Sequence, residues 1–323
     1  MYGTMNNTKS LPRIVFFGTP EFARYCLAYL VEKGFEIAAV VTAPDRKAGR
    51  GKKMTSSPVK TYSIEKGIPV LQPENLKDNR FVSDLKTLAP DLQVVVAFRM
   101  LPKLVWEIPV LGTLNLHASL LPNYRGAAPI NWAIIEGEKE TGATTFLINE
   151  QIDTGALLLQ ERIPLLETYN AQGLHDALLQ IGAPLLAKTL INLSEGSLIP
   201  KPQHPQGNEK EAPKLTPENT KLDLNQPLNQ MVSKIRGLDP NPGAWLSFKE
   251  GEETVRMKVF QAEAVYEMNT SPLHHLIVKE DALLIVVRDG YLKCLEIQLP
   301  NKRRMPAKDL INGYTFPKNC LIF

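Results

Sequence analysis

The strongest constraint on the fold is a regular alternation of short apolar runs and longer helical patterns across the first 195 residues. Apolar runs of strand length lie at residues 13–17, 37–42, 91–97 and 111–117. Strands that are apolar at almost every position are typical of parallel sheets, because helices cover both faces of such a sheet. The alternation therefore predicts an open, mostly parallel α/β sheet whose ligands bind beyond the carboxyl ends of the strands.

Helix signals fill the segments between these runs. After the first run, Gly18 is followed by Thr19 as the expected N-cap and by Pro20 as the first helical residue, with the helix ending near Lys33. Further helices are predicted at residues 58–66, 79–88, 127–136 and 171–193, and further strands at residues 144–148 and 156–163. These elements predict one α/β domain over residues 1–195.

Composition changes near residue 195. Five prolines between residues 200 and 217, with Lys, Gln and Glu among them, predict an extended linker over residues 196–217. The pattern Asp289-Gly290 is a signal for a tight hairpin turn between two strands. One helix is predicted at residues 228–236 and strands at residues 244–249, 254–265, 282–288 and 291–298. Residues 218–323 are therefore predicted to form a second domain, a small β-barrel.

Composition and cysteine content narrow the class of protein. The 323 residues are 44% hydrophobic and 22% charged with a net charge of +3, which is ordinary for a soluble protein and excludes a polycationic chain. The three cysteines form no close pair, which favours a reducing, cytoplasmic location. No apolar run approaches about 18 residues and no signal segment is visible, so we expect no membrane span. The default expectation is a monomer, since the sequence shows two domains and no obvious coiled coil. No metal is expected, since no histidine has metal-ligand spacing.

The strand predicted at residues 111–117 carries the most informative polar side chains. Asn115 and His117 are two residues apart, so they share one face of the strand at a separation of roughly 7 Å. Leu114 and Leu116 then point towards a core. A carboxamide donor and an imidazole at a strand end suit chemistry on a carbonyl, because one stabilises an oxyanion and the other handles a proton.

The tripeptide Asp153-Thr154-Gly155 lies between two predicted strands and has two interpretations. Its carboxylate either shares a proton with His117 or a water molecule, or merely caps a turn, which is the commoner role for Asp before Thr-Gly. The same tripeptide matches the aspartic-protease signature, but it occurs in one copy and in an α/β context, so that class is disfavoured.

A basic segment follows the second strand. Residues 45–60 hold six cations, Arg46, Lys47, Arg50, Lys52, Lys53 and Lys60, against the single acid Asp45. The segment lacks the P-loop pattern, and Pro20 interrupts a possible GxGxxG after Gly18, so neither a nucleoside triphosphate nor a dinucleotide is expected. The segment either attracts a polyanion or is a solvated surface loop. A smaller basic cluster, Lys302-Arg303-Arg304, lies in the second domain.

In this order, the segments resemble the 10-formyltetrahydrofolate-dependent formyltransferases. The matching stretches are residues 13–23, residues 44–60, residues 115–130 and residues 153–155. The Asn-x-His, Ser-Leu-Leu-Pro and Asp-Thr-Gly set marks the wider family. The Gly-Arg-Gly-Lys-Lys loop and the second domain are similar to the family members that act on methionyl-tRNA.

The resemblance implies a Rossmann-like formyltransferase domain that binds folate and an OB-like C-terminal barrel that helps to hold tRNA. It implies that the catalytic residues are Asn115, His117 and Asp153. It implies folate contacts by Ser119, Leu120, Leu121, Pro122, Phe98, Arg99 and Leu101. It implies tRNA contacts by Arg46, Lys47, Arg50, Lys52, Lys53, Arg303 and Arg304. Arg99 stands where the family usually has Gly, and because Arg adopts φ > 0 less freely, we expect a locally different loop.

The reaction so implied transfers a formyl group from 10-formyltetrahydrofolate, as co-substrate, to the amino group of methionine on initiator tRNA. Three alternatives remain open from the residues. The first is a formyltransferase for a small amine such as glycinamide ribonucleotide or an amino sugar. The second is a hydrolase that releases formate, because water can replace the amine at the same site. The third is a non-catalytic RNA-binding protein, which the presence of Asn115, His117 and Asp153 disfavours.

Overall fold

The computed structural model describes residues 11–48, 53–268 and 271–323. The chain divides into two compact units. The first consists of the chain up to Arg125 together with Gly142–Ile163 and Asp176–Lys210, and the second of Gly126–Thr141, Pro164–His175 and Glu211–Phe323. The sequence predicted two domains, each continuous along the chain, joined by a linker over residues 196–217. Each compact unit instead consists of three separate segments of the chain.

Strands and helices alternate along the first part of the chain, and strands dominate its last third. The strands are β1 (Arg13–Gly18), β2 (Glu36–Val41), β3 (Arg46–Ala48), β4 (Lys53–Thr55), β5 (Val70–Leu71), β6 (Leu92–Val96), β7 (Thr113–His117), β8 (Arg125–Gly126), β9 (Glu140–Leu147), β10 (Leu157–Pro164), β11 (Glu211–Ala212), β12 (Ala244–Glu250), β13 (Glu253–Val265), β14 (Leu276–Lys279), β15 (Ala282–Val287), β16 (Gly290–Gln298) and β17 (Met305–Pro306). The helices are α1 (Glu21–Glu32), α2 (Pro58–Glu65), α3 (Asn79–Thr87), α4 (Lys103–Trp106), α5 (Pro129–Ile135), α6 (Ala171–Glu195), α7 (Pro217–Thr220), α8 (Leu228–Leu238) and α9 (Ala307–Ile311).

The larger sheet has the strand order β10-β9-β7-β6-β1-β2-β5. Strands β5, β2, β1, β6 and β7 run parallel to their neighbours, and β9 is antiparallel to β7. The predicted open, mostly parallel α/β sheet is confirmed. Val95 of β6 pairs with Asn115 of β7, so the carboxyl ends of these two strands lie side by side.

The first helix begins one residue later than predicted. Pro20, with φ −78° and ψ 179°, is the N-cap, and α1 starts at Glu21. The prediction that Thr19 caps the helix is wrong, because the extended ψ of Pro20 keeps that residue outside the helix. Gly18 permits the close approach of α1, since a Cβ at this position would lie 2.5 Å from the Cβ of Ala23.

The smaller sheet lies in the second unit and is antiparallel, with the order β12-β13-β16-β15-β14 and with β17 on β16. Its curled form agrees with the predicted OB-like barrel. The predicted hairpin between β15 and β16 is present, but Val287 pairs with Gly290, so the two turn residues are Arg288 and Asp289. Gly290 instead opens β16 with φ 138°, where a Cβ would lie 2.1 Å from the carbonyl oxygen of Val265. Close packing against β13 therefore explains this glycine.

Helix α6 is, by length and composition alone, long and apolar enough to cross a membrane. The 25-residue helix has a mean hydropathy of 1.3 in its most apolar window, and half of that window is buried within the protein. Leu174, Leu178, Leu186 and Leu190 of this helix are fully buried. Such burial is typical of a core helix.

Candidate active site

The end of β7 presents Asn115 and His117 as the strand period predicts. Leu114 and Leu116 of the same strand are buried, whereas Asn115 is half-buried and the His117 side chain is 7% exposed. The strand begins at Thr113 rather than at residue 111, because Gly112 has φ 94° and closes a turn with Pro109. The face that carries Asn115 and His117 therefore opens where β7 ends.

The imidazole of His117 is held between a carbonyl and a carboxylate. Its Nε2 lies 2.8 Å from the carbonyl oxygen of Tyr124, and its Nδ1 lies 3.8 Å from Oδ2 of Asp153. A carbonyl oxygen only accepts, so Nε2 carries the proton and Nδ1 of the neutral ring bears the lone pair. Nδ1 and a carboxylate are both acceptors, so this arrangement leaves room for one additional proton at Nδ1.

The side chain of Asn149 makes two of the hydrogen bonds that shape the turn carrying Asp153. Oδ1 of Asn149 accepts from the backbone N–H of Gln151 at 3.0 Å and from the hydroxyl of Thr154 at 2.9 Å. Gly155 is required for close approach, because a Cβ there would lie 1.6 Å from the carbonyl oxygen of Leu147. Asp153 adopts φ 54°, which Asp tolerates better than most residues. Oδ2 of this residue lies 3.8 Å from Nδ1 of His117, a separation compatible with the proton-sharing interpretation.

The carboxamide of Asn115 is available to a ligand. Within residues 11–48, 53–268 and 271–323, no hydrogen-bond partner contacts its side chain, and its polar atoms are not among the buried unpaired ones. Its NH₂ group can therefore donate to an oxygen on a bound molecule.

A third segment, unnoticed in the sequence, joins this cluster. Nε2 of Gln203 donates to the carbonyl oxygens of Asp153 at 2.9 Å and of Gly155 at 2.8 Å. Its Oε1 accepts from Nε of Arg125 at 3.2 Å and from an Nη of the same guanidinium. Gln203 lies in the segment predicted as a linker, where no motif or period marks it.

The loop after β7, residues 118–124, is ordered by its own hydrogen bonds. The buried hydroxyl of Ser119 donates to the carbonyl oxygen of Asn123 at 2.7 Å. Gln160 donates to the carbonyl oxygen of Leu121 at 2.9 Å, and the Thr144 hydroxyl accepts from the N–H of Leu121 at 3.2 Å. Leu121 is buried, while Leu120 and Pro122 are half-buried. The Ser119 side chain thus serves the loop, and the half-buried residues remain accessible.

The loop after β6 places its left-handed residue at Ala97, with φ 46°, and not at Arg99. Phe98 packs edge-on against Phe17 at 5.7 Å, and Leu101 is buried. The Arg99 guanidinium donates to the carbonyl oxygens of Glu74, at 2.8 Å, and of Pro73. Burial and the nearby charge of Arg46 lower the pKa of Arg99. Arg99 therefore fastens this loop to residues 73–74, beside a pocket of about 800 Å³ lined by Glu74, Asn75, Leu76, Lys77, Arg99, Met100, Leu101, Pro102, Lys103, Leu104 and Glu107.

The basic segment forms a short hairpin of β3 and β4, with Arg46 paired to Thr55. The side chains of Arg46 and Lys47 are exposed. The predicted residues Arg50 and Lys52 lie outside the described residues, and only the backbone of Lys53 is described, in β4. Lys60 differs from the other cations, because its ammonium lies 2.6 Å from Oδ2 of Asp45.

The two arginines predicted in the second unit differ in their surroundings. Arg303 is exposed. Arg304 forms ion pairs with Asp239 and Glu296, and its guanidinium lies 4.3 Å from the ring centroid of Phe260. The charge of Arg304 is therefore already matched by two carboxylates.

The part of the chain that the structure describes holds no cluster of three or more His, Cys, Asp or Glu side chains placed to bind a metal ion.

A carboxamide donor, an imidazole and a carboxylate are side chains that suit transfer of an acyl-type group. Comparison with known families agrees. Residues 12–190 match the family "Formyl transferase", and residues 214–315 match "Formyl transferase, C-terminal domain". The chain belongs to the formyl transferase family.

Its curated relatives include proteins named methionyl-tRNA formyltransferase. The protein of Flavobacterium johnsoniae is 44% identical over 96% of this chain and 99% of its own length. That of Bacteroides thetaiotaomicron is 45% identical over 94% of this chain and 95% of its own length. That of Caldanaerobacter subterraneus is 43% identical over 96% of this chain and 99% of its own length.

Solved structures share the fold. HypX from Aquifex aeolicus in complex with tetrahydrofolic acid has a TM-score of 0.62 at 21% identity, covering 94% of this chain and 47% of HypX. An N-formyltransferase from Helicobacter canadensis, in complex with folinic acid and dTDP-3-aminofucose, has a TM-score of 0.58 at 17% identity, covering 88% and 98%.

Proposed function

We propose that this protein transfers the formyl group of 10-formyltetrahydrofolate to the amino group of methionine on initiator tRNA, giving formylmethionyl-tRNA. The observation that carries the proposal is the 44% identity to a methionyl-tRNA formyltransferase over 96% of this chain and 99% of that relative. Solved structures of sugar N-formyltransferases are similar at only 17–19% identity, so they support the fold and not the substrate.

The reaction moves one proton as one C–N bond replaces another. The neutral amine attacks the formyl carbon, a tetrahedral intermediate forms, and the bond from the formyl carbon to N10 breaks as N10 gains the proton that the amine loses. An α-amino group has a pKa of roughly 7.7–8.0, and esterification of the carboxyl group lowers it further. No strong base is therefore needed to generate the nucleophile, and stabilising the intermediate is the main task.

Each side chain of the cluster has a role that its position supports. Asn115, with a free NH₂ group, donates to the oxyanion of the intermediate. His117 has its Nε2–H committed to Tyr124, so Nδ1 is the atom that takes up a proton and passes it towards N10. Asp153, 3.8 Å away, orients the ring or an intervening water, stabilises the imidazolium and accepts amine protons.

Folate is proposed to lie along the two loops that follow β6 and β7. Leu120, Pro122 and Phe98 are half-buried there, so their side chains are accessible to the pterin. Leu121 and Leu101 are buried beneath these loops, and Ser119 and Arg99 hold them in shape. The co-substrate would therefore bind to two loops whose conformation is already fixed by hydrogen bonds.

Transfer RNA is proposed to engage the basic hairpin. Arg46 and Lys47 are exposed, and Arg50, Lys52 and Lys53 complete the cationic set in the sequence. Arg303 is exposed and able to contact a phosphate. Arg304 is better suited to holding Asp239 and Glu296 than to binding RNA. The three free, buried cysteines support the proposed cytoplasmic location. The protein is proposed to act as a monomer.

An acid-gel assay tests this function. Met-tRNA is incubated with 10-formyltetrahydrofolate and the purified protein, and we expect the formylated species to migrate differently from Met-tRNA. The proposal is overturned if Met-tRNA stays unmodified while glycinamide ribonucleotide or an amino sugar is formylated. Release of formate without transfer to any amine would instead identify a hydrolase.

A further inference from the structure

The segment of residues 201–210, called the strap below, belongs to the first unit and is hydrogen-bonded to other parts of that unit at both ends. Lys201 exchanges two backbone hydrogen bonds with Leu157, at 2.7 and 2.9 Å, where β10 begins. At the other end, the carbonyl oxygen of Lys210 accepts from the N–H of Tyr124 at 2.6 Å, and the N–H of Lys210 donates to Oδ1 of Asn123 at 3.2 Å. The strap therefore connects the start of β10 with the loop that follows β7.

Gln203 is the half-buried side chain of the strap that bridges two catalytic segments. Its NH₂ group makes two hydrogen bonds to the turn at Asp153 and Gly155, and its oxygen receives the guanidinium of Arg125. A carboxamide has two donor hydrogens and one oxygen with two lone pairs, so these four contacts use its full capacity. A side chain so completely committed fixes its partners relative to one another.

One partner of Gln203 lies next to the residue that contacts His117, and the other is the turn that carries Asp153. Arg125 directly follows Tyr124, whose carbonyl oxygen holds Nε2 of His117. Gln203 grips the backbone of Asp153 itself, at a residue with φ 54°. The route from imidazole to carboxylate through Tyr124, Arg125 and Gln203 is therefore continuous.

We propose that Gln203 is a positioning residue that sets the separation between His117 and Asp153 during formyl transfer. This inference rests on the function proposed above. Misplacement of reacting groups by about 1 Å is enough to cost roughly a hundredfold in rate. The strap would thus act on kcat, through the geometry of two other residues, and not on the binding of either substrate.

Two substitutions distinguish the contacts of the Gln203 oxygen with Arg125 from the contacts of its NH₂ group with Asp153 and Gly155. Gln203→Ala removes every contact of the carboxamide. Gln203→Glu keeps an oxygen for Arg125 but loses both donors to the carbonyl oxygens of Asp153 and Gly155. Gln206→Ala, three residues further along the strap at an exposed position, is the matched control.

The experiment measures kcat and both KM values for formylation of Met-tRNA, with thermal unfolding of each variant. We expect both Gln203 variants to lose roughly tenfold to a hundredfold in kcat, with KM values close to wild type, an unchanged unfolding midpoint, and a control equal to wild type. Three results would each overturn the inference: kcat of Gln203→Ala within twofold of wild type, full activity in Gln203→Glu, or losses that merely follow the unfolded fraction. If wild type and control both fail to formylate Met-tRNA, the proposed function itself is wrong, which separates the two failures.

Discussion

The catalytic cluster and the basic hairpin follow two strands of the same sheet, yet they are built differently. The side chains of His117 and Asp153 are almost buried, and their Nδ1 and Oδ2 atoms lie 3.8 Å apart. The carbonyl oxygen of Tyr124 contacts the imidazole, and Gln203 donates to the backbone carbonyl oxygen of Asp153. Arg46 and Lys47 project from the hairpin into solvent. This difference matches the roles proposed above, in which fixed side chains perform the chemistry and exposed cations bind a polyanion.

The hairpin is fastened at its base. The hydroxyls of Thr42 and Ser57 lie 2.7 Å apart, and Asp45 accepts from Lys60 at 2.6 Å and from Gln72 at 2.9 Å. The hydrogen bond from Lys60, followed by that from Gln72, lowers the pKa of the Asp45 carboxyl. Lys60 therefore anchors the hairpin, in contrast to the cations that extend from it.

The largest effect is expected at the catalytic cluster. Removal of one preorganised oxyanion donor costs about 2.7–4 kcal/mol, so Asn115→Ala should lower kcat by roughly two to three orders of magnitude with little change in KM. Steady-state kinetics with Met-tRNA measure this, and Asn192→Ala on α6 serves as the control. A loss below tenfold in a folded variant would remove Asn115 from the chemistry.

The next effect is expected at the hairpin and on a different parameter. Arg46→Ala combined with Lys47→Ala should raise KM for Met-tRNA and leave kcat and the KM for folate near wild type. Because each phosphate contact contributes about 0.7–0.9 to the slope of log affinity against log salt, the salt dependence should flatten by up to about twice that amount. An unchanged slope would show that the hairpin is only solvated surface.

A smaller effect is expected at the base of the hairpin, where the direction of the change in KM for Met-tRNA tests the anchoring role. Asp45→Asn adds net positive charge, so simple attraction predicts a lower KM for Met-tRNA, whereas loss of an anchor predicts a KM raised severalfold. We expect the KM to rise. Lys60→Met should raise it as well, and the double variant should resemble either single one, because both changes break the same contact. A lower KM in Asp45→Asn would reject the anchoring role.

The smallest effect concerns stability against pH. The pKa of Asp45 is lower in the folded protein than the ordinary value of about 3.9, so the carboxylate stabilises the fold above that value. This stabilisation is lost as pH falls through the folded pKa. Asp45→Asn should therefore unfold at a lower temperature than wild type at neutral pH, with a gap that closes in acid. A gap that is constant from pH 7 to the acid range would contradict the assignment.

Local patterns predicted much of the fold, and long-range contacts limited the rest. The strand period placed Asn115 and His117 on one face, and apolar runs located the parallel strands, because both signals depend on neighbouring residues. The helix start at Glu21 and the turn at Arg288 and Asp289 differed by one residue, since backbone angles decide such boundaries.

The functional details that sequence missed come from distant pairs. Gln203 contacts Asp153 across 50 residues of chain, and Arg99 contacts Pro73 and Glu74 across about 25. No period or short motif encodes such contacts, and a glutamine among prolines carries no distinguishing signal. Lys60 was likewise grouped with the exposed cations by charge alone, although the fold pairs it with Asp45.

One measurement tests most directly whether the catalytic cluster performs the chemistry and the basic hairpin binds the tRNA. It determines kcat and KM for Met-tRNA under identical conditions for wild type, Asn115→Ala and the Arg46→Ala, Lys47→Ala double variant. We expect the first variant to lose kcat alone and the second to raise KM alone. If both variants change the same parameter, chemistry and RNA capture do not reside in separate regions, and the proposed division is contradicted.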